Sequence, residues 1–263
     1  MIRFLIASPH SGAGKTVITL AIMRLLRKRG VKYQPAKSGP DYIDPKFHEV
    51  ASGESSVNLD AWAMRKEEIE NLAGSGNLVV EGAMGLFDGA GVSGVGSSAD
   101  LAKILSLPVI LVIDSGKTAH SIAAIVQGFK SFDNHLTVAG VILNRVASDR
   151  HLNILRAALS KIDVPLLGFL FKSNIFSLSE RHLGLVQASE KQNLEHWIDI
   201  VSEALAPSLD LETLTELTSQ PNLKPQKNQK PPGQRIAVAR DVAFEFSYPH
   251  HLRSVSYTHL TLP

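Results

Sequence analysis

The chain contains no cysteine. Disulfides, thiolate metal sites and cysteine nucleophiles are therefore excluded from it. It also has almost no excess of charge: 27 basic against 25 acidic side chains leave a formal +2. No basic run is long enough to follow a nucleic-acid backbone, so no nucleic-acid partner is expected. Long apolar runs are missing too. The longest, 104–113, is interrupted by Pro108 and is too short to cross a bilayer. The first apolar strand candidate begins at Arg3, which is expected to leave no room for a signal peptide. These absences give the expectation of a cytoplasmic protein with no membrane partner. What the 263 residues do have is apolar content, 44%, enough to bury a substantial core in one large domain, with or without a fragment of a second.

Apolar strand candidates recur at 3–7, 33–37, 78–81, 109–114, 138–143 and 166–170, with helical segments between them. That alternation predicts an α/β fold, a mostly parallel sheet with helices on both faces. Ligands of such sheets bind beyond the carboxyl ends of the strands. The polar residues that stand out in this chain follow strands.

The first strand runs into SPHSGAGKT and then into a helix over 15–27, with Ile18, Ala21, Ile22, Leu25 and Leu26 on one face. Strand, small-residue loop and helix form the context of a phosphate-binding loop (P-loop). There the backbone N–H groups and the helix N-terminus face phosphates, a lysine reaches the β/γ-phosphates and the next hydroxyl holds Mg²⁺. Ser11, Gly12, Ala13, Gly14, Lys15 and Thr16 are the candidate nucleotide-binding residues, and Lys15 is expected to face solvent while the loop is empty. Pro9 stands where the usual GxxxxGK[ST] pattern has glycine, and it has no N–H to offer. The competing reading is a glycine-rich turn followed by a helix with a chance lysine.

After the second strand comes KSGPDYIDPKFH, in which prolines bracket Asp41 and Asp44. Asp44 before Pro45 has two readings, a helix N-cap or a cleft carboxylate. Asp41 has no such capping reading and is a metal or substrate candidate. The third strand ends in LVVEGAMGLFDG. Glu81, an acid closing an apolar strand, fits the Mg²⁺ partner of a phosphate loop, and Asp88 lies in the same glycine-rich loop.

Taken together, SPHSGAGKT, KSGPDYIDPKFH, VVEGAMGLFDG, PVILVIDSGKTAHSIAAIVQGF, GVILNRV and SERHLGL resemble the cobyrinic acid a,c-diamide synthase family over 1–249. That family amidates two acetate side chains of a corrin precursor with ATP and glutamine, and it is expected to lack the first P-loop glycine, so Pro9 agrees with it. The resemblance implies a P-loop NTPase-like, dethiobiotin-synthetase-like fold. ATP and Mg²⁺ are the implied cofactors, with Thr16, Glu81 and Asp41 at the metal. Lys15, Asp41, Asp44 and Asp88 are the implied catalytic residues: Asp88 helps to form a phosphorylated intermediate, and Asp44 sits beside the substrate carboxylate. Asn144, after GVIL, reads either as an adenine-recognising side chain or as a strand-end cap. The implied partners are a corrin substrate and ammonia from a glutaminase domain; a homodimer is left open. Rival readings are cobyric acid synthase, nickel-sirohydrochlorin a,c-diamide synthase, dethiobiotin synthetase, and a non-enzymatic partitioning-type nucleotide switch.

Lys117, His120, Arg181 and His182 are either substrate-facing cations or surface charge. Leu194, Trp197, Ile198, Val201 and Leu205 fit one packed helix face. The domain reading is an ATP-binding unit over 1–219, a Pro/Lys-rich linker over 220–234, and the truncated start of a glutamine amidotransferase domain over 235–252, opening with a strand at 235–239. The last residues, 253–263, break the family pattern and read as non-native.

Overall fold

A computed structural model describes residues 1–176, 180–181, 184–185, 188, 193–217, 233–239, 241 and 244–256. Seven strands form one sheet in which every neighbouring pair is parallel. They are β1 (Arg3–Ala7), β2 (Gln34–Ser38), β3 (Val57–Leu59), β4 (Leu78–Glu81), β5 (Val109–Asp114), β6 (Val138–Val146) and β7 (Leu166–Phe171), in the order β3-β2-β4-β1-β5-β6-β7.

The period-two pattern of the strands divides the core into two layers. From β1, Phe4 and Ile6 point to one face and Leu5 and Ala7 to the other. Helices α1 (Lys15–Lys28), α2 (Asp44–Ser52), α7 (Leu194–Leu205) and α8 (Leu211–Glu216) cover the Phe4 face. The Leu5 face is covered by α3 (Lys66–Ala73), α4 (Ser98–Leu105), α5 (Ser121–Phe132) and α6 (Asp149–Leu159). This is the expected α/β fold.

Of the six strands expected from sequence, three match at both ends and three shift or lengthen by up to three residues. The seventh, β3, was not read: three residues are too few to show a period, and only pairing with β2 makes them a strand. Helix α1 is buried on more sides than its amphipathic reading implied, with Val17, Leu20 and Met23 also inside, because it lies between the sheet and α2 and α7. In α7, Leu194, Ile198, Val201 and Leu205 are buried, as their spacing predicted. No helix among the described residues is long and apolar enough to cross a membrane.

Most of the linker span 220–234 lies outside the described residues, as do His182 and 257–263 of the tail. The strand expected at 235–239 is absent: 236–239 carry no regular structure, and no strand among the described residues pairs with them. A strand needs a ladder partner to form. Helix α9 (Pro249–Ser256) follows and runs across position 252.

Candidate active site

The loops after β1, β2, β4 and β6 meet in a cleft of about 520 Å³, lined by Ser11, Gly12, Gly14, Lys15, Thr16, Lys37, Asp41, Asp44, Glu81 and Asn144 among others. Gly12 and Gly14 have φ of 80° and 92°. At Gly14 the need for glycine is double, because a Cβ there would lie 1.9 Å from Asn144 Nδ2. The N-terminus of α1 has no side-chain cap and no acidic residue in its first turn. Its N–H groups and its positive dipole end are therefore left for an anion. By contrast, Ser97 and Ser148 cap α4 and α6.

Lys15 is not solvent-facing, contrary to the sequence expectation. It is 8% exposed and its Nζ donates to the Met84 carbonyl at 2.8 Å and to Ser8 Oγ at 3.2 Å. Burial holds its ammonium below the ordinary lysine range, with Glu81 pulling the other way. Thr16 Oγ1 donates to Glu81 Oε1 at 2.6 Å. This hydroxyl and carboxylate are two adjacent hard oxygen donors at the mouth of the phosphate loop, a set that fits Mg²⁺.

Glu81 is fully buried and takes three donors. Besides Thr16, Lys37 Nζ reaches Oε1 at 3.1 Å and His48 Nε2 reaches Oε2 at 2.7 Å; His48 Nδ1 lies 3.2 Å from Ser56 Oγ. Burial pushes the Glu81 carboxyl up, but the Lys37 charge and the His48 hydrogen bond outweigh it and hold it well below the usual range. Lys37 also contacts Asp44 Oδ2 at 2.5 Å. Burial pulls its ammonium down, and the charges of Glu81 and Asp44 more than offset this, leaving it raised.

One ammonium is thus shared between two buried carboxylates, and Asp44 is the one less well satisfied. Its Oδ1 is buried without a hydrogen-bond partner. Burial raises the Asp44 carboxyl to about 6; Lys37 opposes the rise, while Glu81 and Asp41 add to it. A rise on Asp44 and a salt bridge to Lys37 pull in opposite directions. The 2.5 Å contact favours the ionised form, so near neutral pH Asp44 is a carboxylate that protonates readily.

Of the two readings of Asp44 the structure shows the cleft carboxylate, and the capping role falls to Asp41, which carried no capping reading. Asp44 has no capping bond and instead faces Lys37 and the cleft. Asp41 makes the turn: its Oδ1 accepts from the N–H groups of Ile43 at 2.7 Å and Asp44 at 3.2 Å. Pro45 follows in the first turn of α2. Asp-Pro reads as a cap in sequence because the motif is local, whereas the lysine that captures Asp44 comes from β2.

Asp88 is exposed and does not line the cleft; its Oδ2 accepts from Gly85 N at 2.9 Å. It is still near enough to Lys15 to raise that ammonium. Asn144 is buried and holds the loop: Nδ2 donates to the Ala13 carbonyl at 2.9 Å, and Oδ1 accepts from Arg145 N. Beside it Arg145, with φ 57°, donates to the Gly12 carbonyl at 2.9 Å and to Asp114 Oδ2 at 2.6 Å. Lys117 and His120 are exposed at the start of α5 and do not line the cleft, in keeping with surface charge. Lys37, His48, Arg145 and Ser8 were not picked out from sequence. The lysine at the carboxyl end of β2, two residues before GPD, was a usable signal, because ligands of such sheets bind at those strand ends. His48, inside a helix, gave none.

The CobQ/CobB/MinD/ParA nucleotide binding domain family (CbiA) matches residues 4–186. The chain belongs to this family. Every residue lining the cleft falls within the CbiA span. Among curated relatives, the hydrogenobyrinate a,c-diamide synthases of Brucella anthropi and Rhizobium meliloti are each 49% identical to it, over 257 and 254 residues, and that of Rhodobacter capsulatus is 45% identical over 257. The resemblance to a,c-diamide synthases read from the motifs is borne out. These alignments take in 94%, 94% and 95% of this chain but 59% of each relative, so the chain spans about three-fifths of the length of the relatives it matches. Solved structures it resembles include chloroplast FtsY from Physcomitrella patens (16% identity, TM-score 0.47, 76% of this chain and 65% of that one). Another is cell division protein FtsY from Thermotoga maritima (14%, 0.44, 76% and 68%).

Proposed function

We propose that this chain is the ATP-using part of a corrinoid a,c-diamide synthase, activating acetate carboxylates of hydrogenobyrinic or cobyrinic acid for amidation. The observation that carries the reading is the charge network at the cleft: an uncapped helix N-terminus, the Thr16–Glu81 oxygen pair, and a buried, half-satisfied Asp44 beside Lys37. The relatives' names supply the substrate class.

A carboxylate resists attack by ammonia because oxide would have to leave. Transfer of the γ-phosphoryl group to the substrate carboxylate makes an acyl phosphate, from which phosphate departs. Lys15 exchanges the Met84 carbonyl for phosphate oxygens and stabilises the charge that spreads over the transferred group. Thr16 and Glu81, with Asp41 at the cleft edge, would hold Mg²⁺, which supplies charge neutralisation to the phosphates. Asp88, reached through the same loop as Met84, assists phosphoryl transfer. When ammonia adds to the acyl carbon, the new ammonium nitrogen must lose a proton, and Asp44, titrating at about 6, is matched to accept it near neutral pH. Asn144 contacts adenine while keeping its hold on Ala13.

In the same proposal, 1–219 is the nucleotide-binding unit and 220–234 a linker. Residues 235–252 open a glutaminase domain, which delivers the ammonia. The test is ADP release by the chain with MgATP and ammonium, challenged in parallel with hydrogenobyrinic acid, cobyrinic acid, nickel-sirohydrochlorin and diaminopelargonic acid. Stimulation by one of the first two, with amide formation by mass, is expected. Stimulation by nickel-sirohydrochlorin or diaminopelargonic acid alone would replace the corrin assignment.

A further inference from the structure

Tyr42 lies between Asp41 and Asp44, and its loop is anchored from beneath. Asn58 Nδ2 donates to the carbonyls of Gly39 at 2.9 Å and Asp41 at 2.6 Å, and Asp41 fixes the next two N–H groups. The Tyr42 ring is therefore held by a stiff base. It is sandwiched between Phe246, at 5.2 Å between centroids and 13° between planes, and Tyr248, at 4.6 Å and 19°. His250 stacks on Tyr248 at 5.4 Å and 16°. The four rings form one column, three of them from a segment about 200 residues further along the chain.

The chain turns as it passes the ring: the Ser247 N–H donates to the Glu245 carbonyl at 2.9 Å, a three-residue turn centred on Phe246. Phe246 and Tyr248 are thereby both stacked on Tyr42, in the offset, near-parallel geometry that aromatic pairs favour. The Tyr248 hydroxyl adds a hydrogen bond to the Pro40 carbonyl at 3.1 Å, a separation of 208 residues in sequence. Phe246 remains 56% exposed, so the column, not burial in a core, is what places it.

We infer that residues 246–250 form a docking segment that clamps Tyr42, fastening the region after residue 233 to the loop that carries Asp41 and Asp44. The occupant of this surface is the chain's own later segment. The assignment does not depend on the substrate proposed above.

The test is limited trypsin digestion of the 263-residue chain, following cleavage at Arg253 in α9 and at Arg156 in α6. Tyr42→Ala, and separately Phe246→Ala with Tyr248→Ala, should speed cleavage at Arg253 about tenfold, the scale set by losing two stacked pairs. Cleavage at Arg156 should not change, and Tyr42→Phe, which keeps the ring, should stay within about threefold of wild type. An unchanged rate at Arg253 in Tyr42→Ala overturns the assignment. If Arg156 is loosened as well, the absence of native cysteine gives a second measurement: Tyr42→Cys with Tyr248→Cys treated with a short bismaleimide. Intramolecular cross-linking at high yield upholds the clamp, and its absence overturns it.

Discussion

Asp44 is a buried carboxylate with one oxygen on Lys37 and the other on nothing, and replacing it with asparagine separates its cost to the fold from its use. Its carboxyl titrates at about 6 in the fold against the ordinary 3.8, so the folded chain holds this proton more tightly than the unfolded one. The linked stabilisation is full below about pH 3.8 and is lost as pH rises through about 6. Above that the fold carries an ionised group it disfavours by roughly 3 kcal/mol, at 1.36 kcal/mol per pKa unit. Asparagine keeps an oxygen for Lys37 and puts an uncharged amide where the orphan oxygen stood. The magnitude is an upper figure because that amide is itself without a partner. Asp44→Asn should therefore be more stable than wild type by about 1–3 kcal/mol at pH 7.5, and by only about half as much at pH 5. Urea midpoints of both proteins at the two pH values, without nucleotide or Mg²⁺, measure this. ATP-dependent amidation should fall sharply at the same time. A variant less stable than wild type at pH 7.5, or an advantage that does not shrink at pH 5, would refute the reasoning.

Lys15→Ala should weaken MgATP binding by roughly a hundredfold or more, the loss of charge-assisted phosphate contacts. Apo stability should move by no more than about 1 kcal/mol, since the ammonium's burial cost and its two hydrogen bonds vanish together; calorimetric titration and urea midpoints report the two. Glu81→Gln leaves Lys37 and His48 without their shared carboxylate and should cost about 2–4 kcal/mol as well as the Mg²⁺ dependence. Asp88→Asn, at an exposed turn, should cost under about 1 kcal/mol and suppress hydroxylamine-trapped acyl phosphate more than nucleotide binding. Equal profiles for these two variants would remove the division of roles. Gly14→Ala should destabilise by about 2–4 kcal/mol through its φ and the Asn144 clash, and adding Asn144→Ala should recover only the clash. Having no thiol to attack the amide, the chain should release no glutamate from labelled glutamine.

The sheet was legible because β1, β4 and β5 are apolar runs buried on both faces, and a parallel sheet makes such runs contiguous. The strand–loop–helix unit over residues 3–28 was legible because its motif is local. What escaped was contact between distant elements. Lys37 and His48 acquire their roles only when β2 is laid against β4 and α2 closes behind them, 44 and 33 residues from Glu81. The turn made by Asp41 escaped for a different reason: its bonds are local, to the N–H groups two and three residues on, but only Asp44, standing before Pro45, carried a capping signature. Arg145 was hidden by its backbone. Its side chain turns back over the phosphate loop from an αL conformation, at the point where the pairing of β6 with β7 shifts register between Leu143 and Val146.

The strand order also constrains how the cleft is made on the ribosome. β1, which carries the phosphate loop, pairs with β4 and β5, and β2 pairs with β3 and β4. Until residues 78–81 have emerged, the first strand has no strand partner, and the two loops bearing Lys15 and Asp44 are related only through the packing of α1 on α2. Register Arg3↔Leu78 closes a loop of about 75 residues in one step. A nascent chain shorter than that can lay α1 and α2 over the Phe4 and Ile6 face but leaves the Leu5 and Ala7 face without α4, α5 and α6 and both edges of β1 unpaired, an aggregation hazard for as long as it lasts. Synthesis at about 5–20 residues per second gives that interval a length of several seconds. Holdase chaperones should therefore crosslink to chains stalled before β4 and release those stalled beyond β5.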